Sequence, residues 1–321
     1  MIGRIAKAAT GAAVAAATVL GGAQAAHAST YCCVTPYSPP PARIVFVSQR
    51  SGQMAIWSAN PDGSSPAQLR TGYAAHPSLD GARAHIAYEA YKPNGTIGLW
   101  LMNADGSNQH LVSPASSATA EYDASLNAAG TRIAYTRNTN NTASGPQLFV
   151  MNTDGTGITQ LTSSADGSMS NAPAWSPDGQ HIAYSHLSGQ VSDVWVMNAD
   201  GSGAHRVTYD GHSQGRLTWS PDGQRIAYTS MQTGHFQVFW SSASNTQAPV
   251  WVTSRAVADT DPTWSPDGGS IMFSEGGYGS SKLLAANLSN GAVTTIANTG
   301  FDAQANYGYP SQQAPTRAYY G

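Results

Sequence analysis

Charge is scarce in this chain. Acidic and basic residues together make up 10% of its 321 residues, against about 25% in an average soluble domain. Ser, Thr, Asn, Gln and Gly must therefore build most of the surface. No basic run or patch exists, which argues against a nucleic-acid partner. Only one long apolar stretch is present and it is N-terminal, which excludes a polytopic membrane protein. Cysteine is nearly absent: Cys32 and Cys33 are the only two. Adjacent cysteines close a strained ring, so a bond between them is disfavoured, and no third Cys is available. They are expected as free thiols or as a cross-link to another chain. Sustained helical periodicity is missing after the N-terminal segment. What the chain has in quantity is apolar and aromatic: 41% hydrophobic residues, with 8 Trp and 15 Tyr. That supports a large core and rules out disorder throughout.

The first 28 residues read as a secretory signal. Arg4 and Lys7 form a positive start, residues 8–22 are small and apolar, and Ala26-His27-Ala28 is a small-x-small cleavage site. Cleavage near Ala28 changes the net charge from −3 to −5, because two basic residues leave and 18 acidic against 13 basic remain. The mature chain is then expected to be secreted or periplasmic, with no transmembrane segment. Residues 29–42 form a Cys- and Pro-rich linker, extended by the four prolines between Pro36 and Pro41.

The body is a repeat. Ile44-Val45-Phe46, Ile86-Ala87-Tyr88, Ile133-Ala134-Tyr135, Ile182-Ala183-Tyr184, Ile226-Ala227-Tyr228 and Ile271-Met272-Phe273 recur at spacings of 42, 47, 49, 44 and 45 residues. Trp-Ser-Pro-Asp-Gly precedes three of them, at Trp175, Trp219 and Trp264. Met-Asn-x-Asp-Gly follows three of them, at Met102, Met151 and Met197. Asp-Gly pairs supply the positive φ that tight hairpins need. Four short β-runs per unit at this period predict an all-β fold, a six-bladed β-propeller of four-stranded blades. The chain enters at the second strand of the first blade, near Arg43. A C-terminal strand is expected to complete that blade, and Tyr309-Pro310-Ser311 is the segment assigned to it. The propeller is expected over residues 43–313, with a tail over 314–321.

These motifs together resemble the TolB-like propeller family, built from a WD-like repeat with a Pro-Asp signature. The first two turns depart from the pattern, reading Leu79-Asp80-Gly81 and Leu126-Asn127-Ala128-Ala129-Gly130. TolB proper carries a small α/β domain before the propeller, and the 14 residues from Ser29 to the propeller leave no room for it. The resemblance implies a periplasmic protein of the Tol-Pal envelope system that binds other proteins through its propeller.

Candidate sites divide into weak and stronger ones. The Asp-Gly turns look like fragments of calcium loops, but such loops need more carboxylates in series and a distal Glu. The chain has three Glu, namely Glu89, Glu121 and Glu275, none suitably spaced. Gly211-His212-Ser213-Gln214-Gly215 matches a nucleophile elbow literally, yet it lies between blades with no helix following. No close metal-ligand spacing and no phosphate or dinucleotide loop occurs, so no metal or cofactor is implied. The channel mouth is the better candidate. The residue before the Pro position of each innermost strand should approach the axis, which selects His76, Asp123, Ala172, Arg216 and Asp261, with Tyr309 at the closing strand. His76, Asp123, Arg216, Asp261 and Tyr309 could bind a peptide end or a small polar ligand, and Asp123 with Asp261 a cation. The expected function is a non-catalytic exported module recognising an envelope or secreted protein or peptide. The alternatives are a hydrolase or lyase with its site on the propeller, and a structural protein cross-linked through Cys32 and Cys33.

Overall fold

The computed structural model describes residues 43–115, 118–138, 145–163, 167–277 and 280–308. The strands among them form six four-stranded antiparallel sheets. The innermost strands of blades 1 to 6 are Asp302–Asn306, Ala75–Leu79, Glu121–Leu126, Met169–Trp175, Ser213–Trp219 and Asp259–Trp264. Each packs beside its two neighbours, so together they close a ring around one axis. The Ile-Ala-Tyr repeats form the second strands and carry the core: Ile86, Ala87 and Tyr88 are all fully buried. Six apolar clusters fill the six spaces between blades, such as Leu99 and Leu101 of blade 2 against Leu126, Ile133 and Phe149 of blade 3. The outermost strands are only two residues long in five blades. Such short edges offer little backbone for another chain to pair with.

The turns follow their composition. In the hairpins between third and fourth strands, Asp62, Asp105, Asp154 and Asp200 each accept the backbone N–H of the residue two positions on, at 2.9 Å. These carboxylates are used inside their own turns, which favours the hairpin reading over a calcium loop.

The ring closes as expected, by a C-terminal strand in the first blade, but the segment differs. The closing strand is Asp302–Asn306, which pairs with the strand Ile44–Ser48 through Val45↔Asn306, Val47↔Ala303 and Ser48↔Asp302. Ala303 and Ala305 are buried, and Asp302 is fully enclosed and bonded at 2.9 Å by Arg50. This run lacks the Pro-x-Trp signature that the innermost strands of blades 4 and 6 carry at Pro173 and Pro262. Tyr309-Pro310-Ser311 lies outside the described residues, as do residues 1–42 with Cys32 and Cys33. Among the described residues no helix is long and apolar enough to cross a membrane.

Candidate functional site

Each innermost strand breaks its register once, near its start, at a residue with left-handed φ. These residues are His76 (49°), Asp123 (54°), Ala172 (51°), Gly215 (75°), Asp261 (52°) and Gln304 (55°). The bulge lies next to the axis in every blade. His and Asp tolerate this backbone region better than most residues do.

The neighbouring blade fastens four of the six bulges by a hydrogen bond to the bulge N–H. The residue on the second strand opposite the position before the bulge is Val47, Glu89, Thr136, Ser185, Thr229 or Ser274 in blades 1 to 6. Its side-chain oxygen accepts the bulge N–H of the next blade in three cases. Asp123 N–H donates to Glu89 Oε1 at 2.6 Å, Ala172 N–H to Thr136 Oγ1 at 3.2 Å, and Gln304 N–H to Ser274 Oγ at 3.1 Å. Val47 has no acceptor. There Gln304 Oε1 takes the His76 N–H itself, at 3.0 Å.

Around the mouth these side chains converge. His76 Nδ1 lies 2.7 Å from Glu89 Oε1, and Gln304 Nε2 lies 2.8 Å from His76 Nε2. Because Gln304 Oε1 is taken by the His76 N–H, its amide nitrogen faces the ring and donates to Nε2. The proton of the neutral ring is then on Nδ1, donated to Glu89. Burial pulls the His76 pKa down, but the charge and hydrogen bond of Glu89, with Asp123, outweigh burial and Arg216, so the net direction is up. Charging the ring would put two N–H groups face to face at Gln304. Burial, with Glu89 beside it, raises the Asp123 carboxyl, against the pull of His76, Arg216 and the Ala172 N–H. His76, Glu89 and Asp123 bring their ligand atoms within 4.8 Å of one another.

Arg216 arrives differently from the sequence alignment. Gly215, not Arg216, takes the left-handed position in blade 5. The register there skips from Gln214 to Thr218, one residue more than in blade 4, where it skips from Asn171 to Ala174. Arg216 is the extra residue. Its guanidinium donates to the Pro77 carbonyl of blade 2 at 3.4 Å. Blade 2 stands opposite blade 5 in a ring of six, so this contact crosses the axis. The axial cavity beneath is small, about 30 Å³, lined from all six blades by residues that include Ser78, Asp123, Ala172, Thr218, Pro262 and Asn306. That is room for about two waters.

The structure thus brings His76, Asp123 and Arg216 together. Asp261 instead lines a pocket of about 270 Å³ with Gln214, Gly215, Thr229, Phe236 and Thr260. Tyr309 is outside the described residues, and Gln304 fills the role assigned to it. Sequence reading missed Glu89 and Gln304. Aligning the six second strands would have exposed Glu89, the only acid at a position otherwise Ser, Thr or Val.

The elbow-like segment is structural. Ser213 is buried in the innermost strand of blade 5, donates to Asp210 Oδ1 at 2.8 Å and sits 3.0 Å from Thr208 Oγ1. Ser230 donates to the other oxygen of Asp210 at 2.8 Å. His212 is exposed. No imidazole contacts Ser213 among the described residues, so nothing there activates a nucleophile.

Comparison with known proteins agrees with this architecture. The crystal structure of TolB from Acinetobacter baumannii superposes with a TM-score of 0.69 at 16% identity, covering 84% of this chain and 67% of that one. The oligogalacturonate lyase from Vibrio parahaemolyticus superposes with a TM-score of 0.55 at 14% identity, covering 80% of this chain and 74% of that one. At these identities the likeness is one of fold. In sequence, the Tol-Pal system protein TolB of Anaeromyxobacter dehalogenans (strain 2CP-C) is 56% identical over 36 residues, a stretch that spans 11% of this chain and 8% of the relative. The family model of the TolB beta propeller domain matches residues 123–312. The chain belongs to that family.

Proposed function

We propose that the protein is an exported binding module that holds a protein or peptide segment on the face carrying the channel mouth. The sidedness of the propeller carries this reading. Of ten large apolar side chains exposed among the described residues, six lie where innermost strands begin or second strands end: Tyr91, Met169, Val191, Tyr209, Met231 and Val257. The bulges of His76 and Asp123 open on that same end. The opposite face carries the Asp-Gly turns, which are small and polar. Apolar side chains around a charged centre are what a partner can desolvate, with the polar groups fixing its orientation. Rigid strands hold the loops in place, so little ordering is needed on binding. The signal-like segment over residues 1–28 supports a location in the periplasm or medium. The Tol-Pal name of the Anaeromyxobacter relative supports an envelope partner.

The test is capture of partners from envelope and culture fluid of the parent cell. The baits are the wild type, a Tyr209→Ser, Met231→Ser, Val257→Ser variant of the mouth face, and an Asp154→Ala, Asp200→Ala variant of the opposite face. A protein held by the wild type and the opposite-face variant, and reduced at least about tenfold by the mouth-face variant, is the expected result. Capture that survives in the mouth-face variant, or fails in all three, overturns the reading.

A further inference from the structure

Glu89 does more than its position requires. The position it occupies fastens the bulge of the next blade, and Thr136 and Ser274 do this with a single hydroxyl. A carboxylate here carries a charge that the fastening does not need. The residue is only 3% exposed, and no protein group among the described residues bonds its second oxygen, Oε2. Among the described residues, the Glu89 side chain bonds the His76 ring and the Asp123 N–H, both through Oε1. Asp123 places a second carboxylate, and His76 an imidazole, beside it, and the three ligand atoms lie within 4.8 Å. Donors around one ion at bonds of about 2.0–2.2 Å stand roughly 3–4.4 Å apart, so closing on an ion needs only sub-ångström movement.

We propose that His76, Glu89 and Asp123 bind a divalent first-row transition-metal ion at the channel mouth. The donor set selects the class of metal. An imidazole with two carboxylates suits Mn²⁺, Fe²⁺ or Zn²⁺, whereas Ca²⁺ and Mg²⁺ favour oxygen ligands alone. With the His76 ring neutral, as a metal ligand must be, two carboxylates outweigh the one guanidinium of Arg216, which is directed to the Pro77 carbonyl. A dication therefore relieves a local negative excess. His76 and Glu89 come from blade 2 and Asp123 from blade 3, so the ion ties two blades together. Three protein donors leave further positions for water or for a carboxylate or carbonyl of a bound molecule. An ion on Nδ1 displaces the proton shared with Glu89, so the neutral ring carries its proton on Nε2. The Gln304 amide, 2.8 Å away, turns over to accept it in the manner of outer partners of metal-bound imidazoles, releasing the His76 backbone N–H. The proposal stands on its own geometry, and its readout is the metal, not partner capture.

The experiment titrates untagged protein, stripped with chelator, with Mn²⁺ at neutral pH, followed by calorimetry and by loss of the free-ion EPR signal. Glu89→Thr reproduces the blade 3 residue and keeps an acceptor for the Asp123 N–H. Asp123→Asn removes the second carboxylate at a backbone conformation that Asn accepts. Asp261→Asn is the control, since Asp261 lines a different pocket. One Mn²⁺ per chain, weakened at least about tenfold in Glu89→Thr and in Asp123→Asn and unchanged in Asp261→Asn, is the expected result. Pulsed EPR of the wild-type complex should also show nitrogen coupling from one imidazole, a readout that does not depend on any variant folding. Absence of saturable binding, equal binding in all variants, or a bound ion without nitrogen coupling overturns the proposal.

Discussion

Asp259 shows how a single buried charge can weigh against the fold. It sits at the start of the innermost strand of blade 6, fully buried, and neither carboxylate oxygen has a hydrogen-bond partner among the described residues. Its pKa is raised from 3.8 to about 6, chiefly by burial, with Thr253 and Arg255 opposing the rise and Glu275 on the paired strand adding to it. A carboxyl raised in the folded state binds its proton more tightly there than in the unfolded chain. Its contribution is therefore full below the unfolded value, declines as pH rises, and is lost once pH passes about 6. A shift of this size corresponds to at most about 3 kcal/mol at neutral pH, and relaxation reduces that to roughly 1–2 kcal/mol. Asp259→Asn keeps the shape and removes the charge. Thermal unfolding should show the variant more stable than wild type at pH 7 and equal to it near pH 4; an equal or lower melting temperature at pH 7 counts against this account. None of this was legible in the sequence, where Asp259 looks like any polar strand residue. Glu89 was hidden for the same reason: Ile86-Ala87-Tyr88-Glu89 reads as core strand. Its distinction emerges only when blade is laid on blade.

The Asp-Gly turns were legible as elements, and the structure adds a second reason for their glycine. Gly106, Gly155 and Gly201 have φ near 80–90° and stand against the outer strand of the preceding blade. A Cβ on Gly106 would lie 2.7 Å from the Leu69 carbonyl oxygen, and one on Gly155 would lie 2.6 Å from that of Val112. Gly63 meets Ile296 in the same way across the ring closure. Each of these turns wedges against the neighbouring blade, so the glycine serves both its own hairpin and the contact between blades. Gly95 is the matched control, with φ +82° and nothing within 4 Å of an added Cβ. Gly95→Ala should cost about 1 kcal/mol from backbone strain alone. Gly106→Ala should cost about 2 kcal/mol more, because a backbone carbonyl cannot step aside as a flexible side chain can. Denaturant unfolding of the two variants side by side measures the difference, and equal losses would show that only the local turn matters. The bulges near the axis were less legible. They depend on hydrogen bonds between blades, and Arg216 was misaligned because one extra residue in blade 5 is invisible to spacing counted from Ile226.

A ring of sheets is only as stable as its closure. Six blades were readable from six Ile-led strands, because each second strand buries its apolar residues in every copy. The closing strand was harder to read. Asp302-Ala303-Gln304-Ala305-Asn306 is separated from its partner strand by the whole propeller, and its small residues carry no signature of their own. Yet three separate layers converge on it. Asp302 is tied to Arg50 at 2.9 Å, and its carboxyl is held below the ordinary value by Ser48, Arg50 and Thr299 despite burial. Gln304 accepts the His76 N–H of blade 2 and donates its own N–H to Ser274 of blade 6. Asn306 Oδ1 accepts the Leu79 N–H at 3.0 Å, while Ala305 and Tyr307 pack into the cluster between blades 6 and 1. Removing the strand exposes the edge of Ile44–Ser48 and opens the apolar faces of both neighbours at once. A chain ending at Asn298 is therefore expected to lose the single cooperative unfolding transition of the full chain and to self-associate in gel filtration. Adding a synthetic peptide of residues 299–308 should restore the transition in part, since the missing strand contributes contacts and not a covalent path. A truncated chain that still unfolds in one transition, within a few degrees of the full chain, would mean that the other five interfaces hold the ring without closure. If instead the transition is lost and the peptide recovers it, the mouth itself depends on closure, because His76 is then held from the C-terminal strand through Gln304.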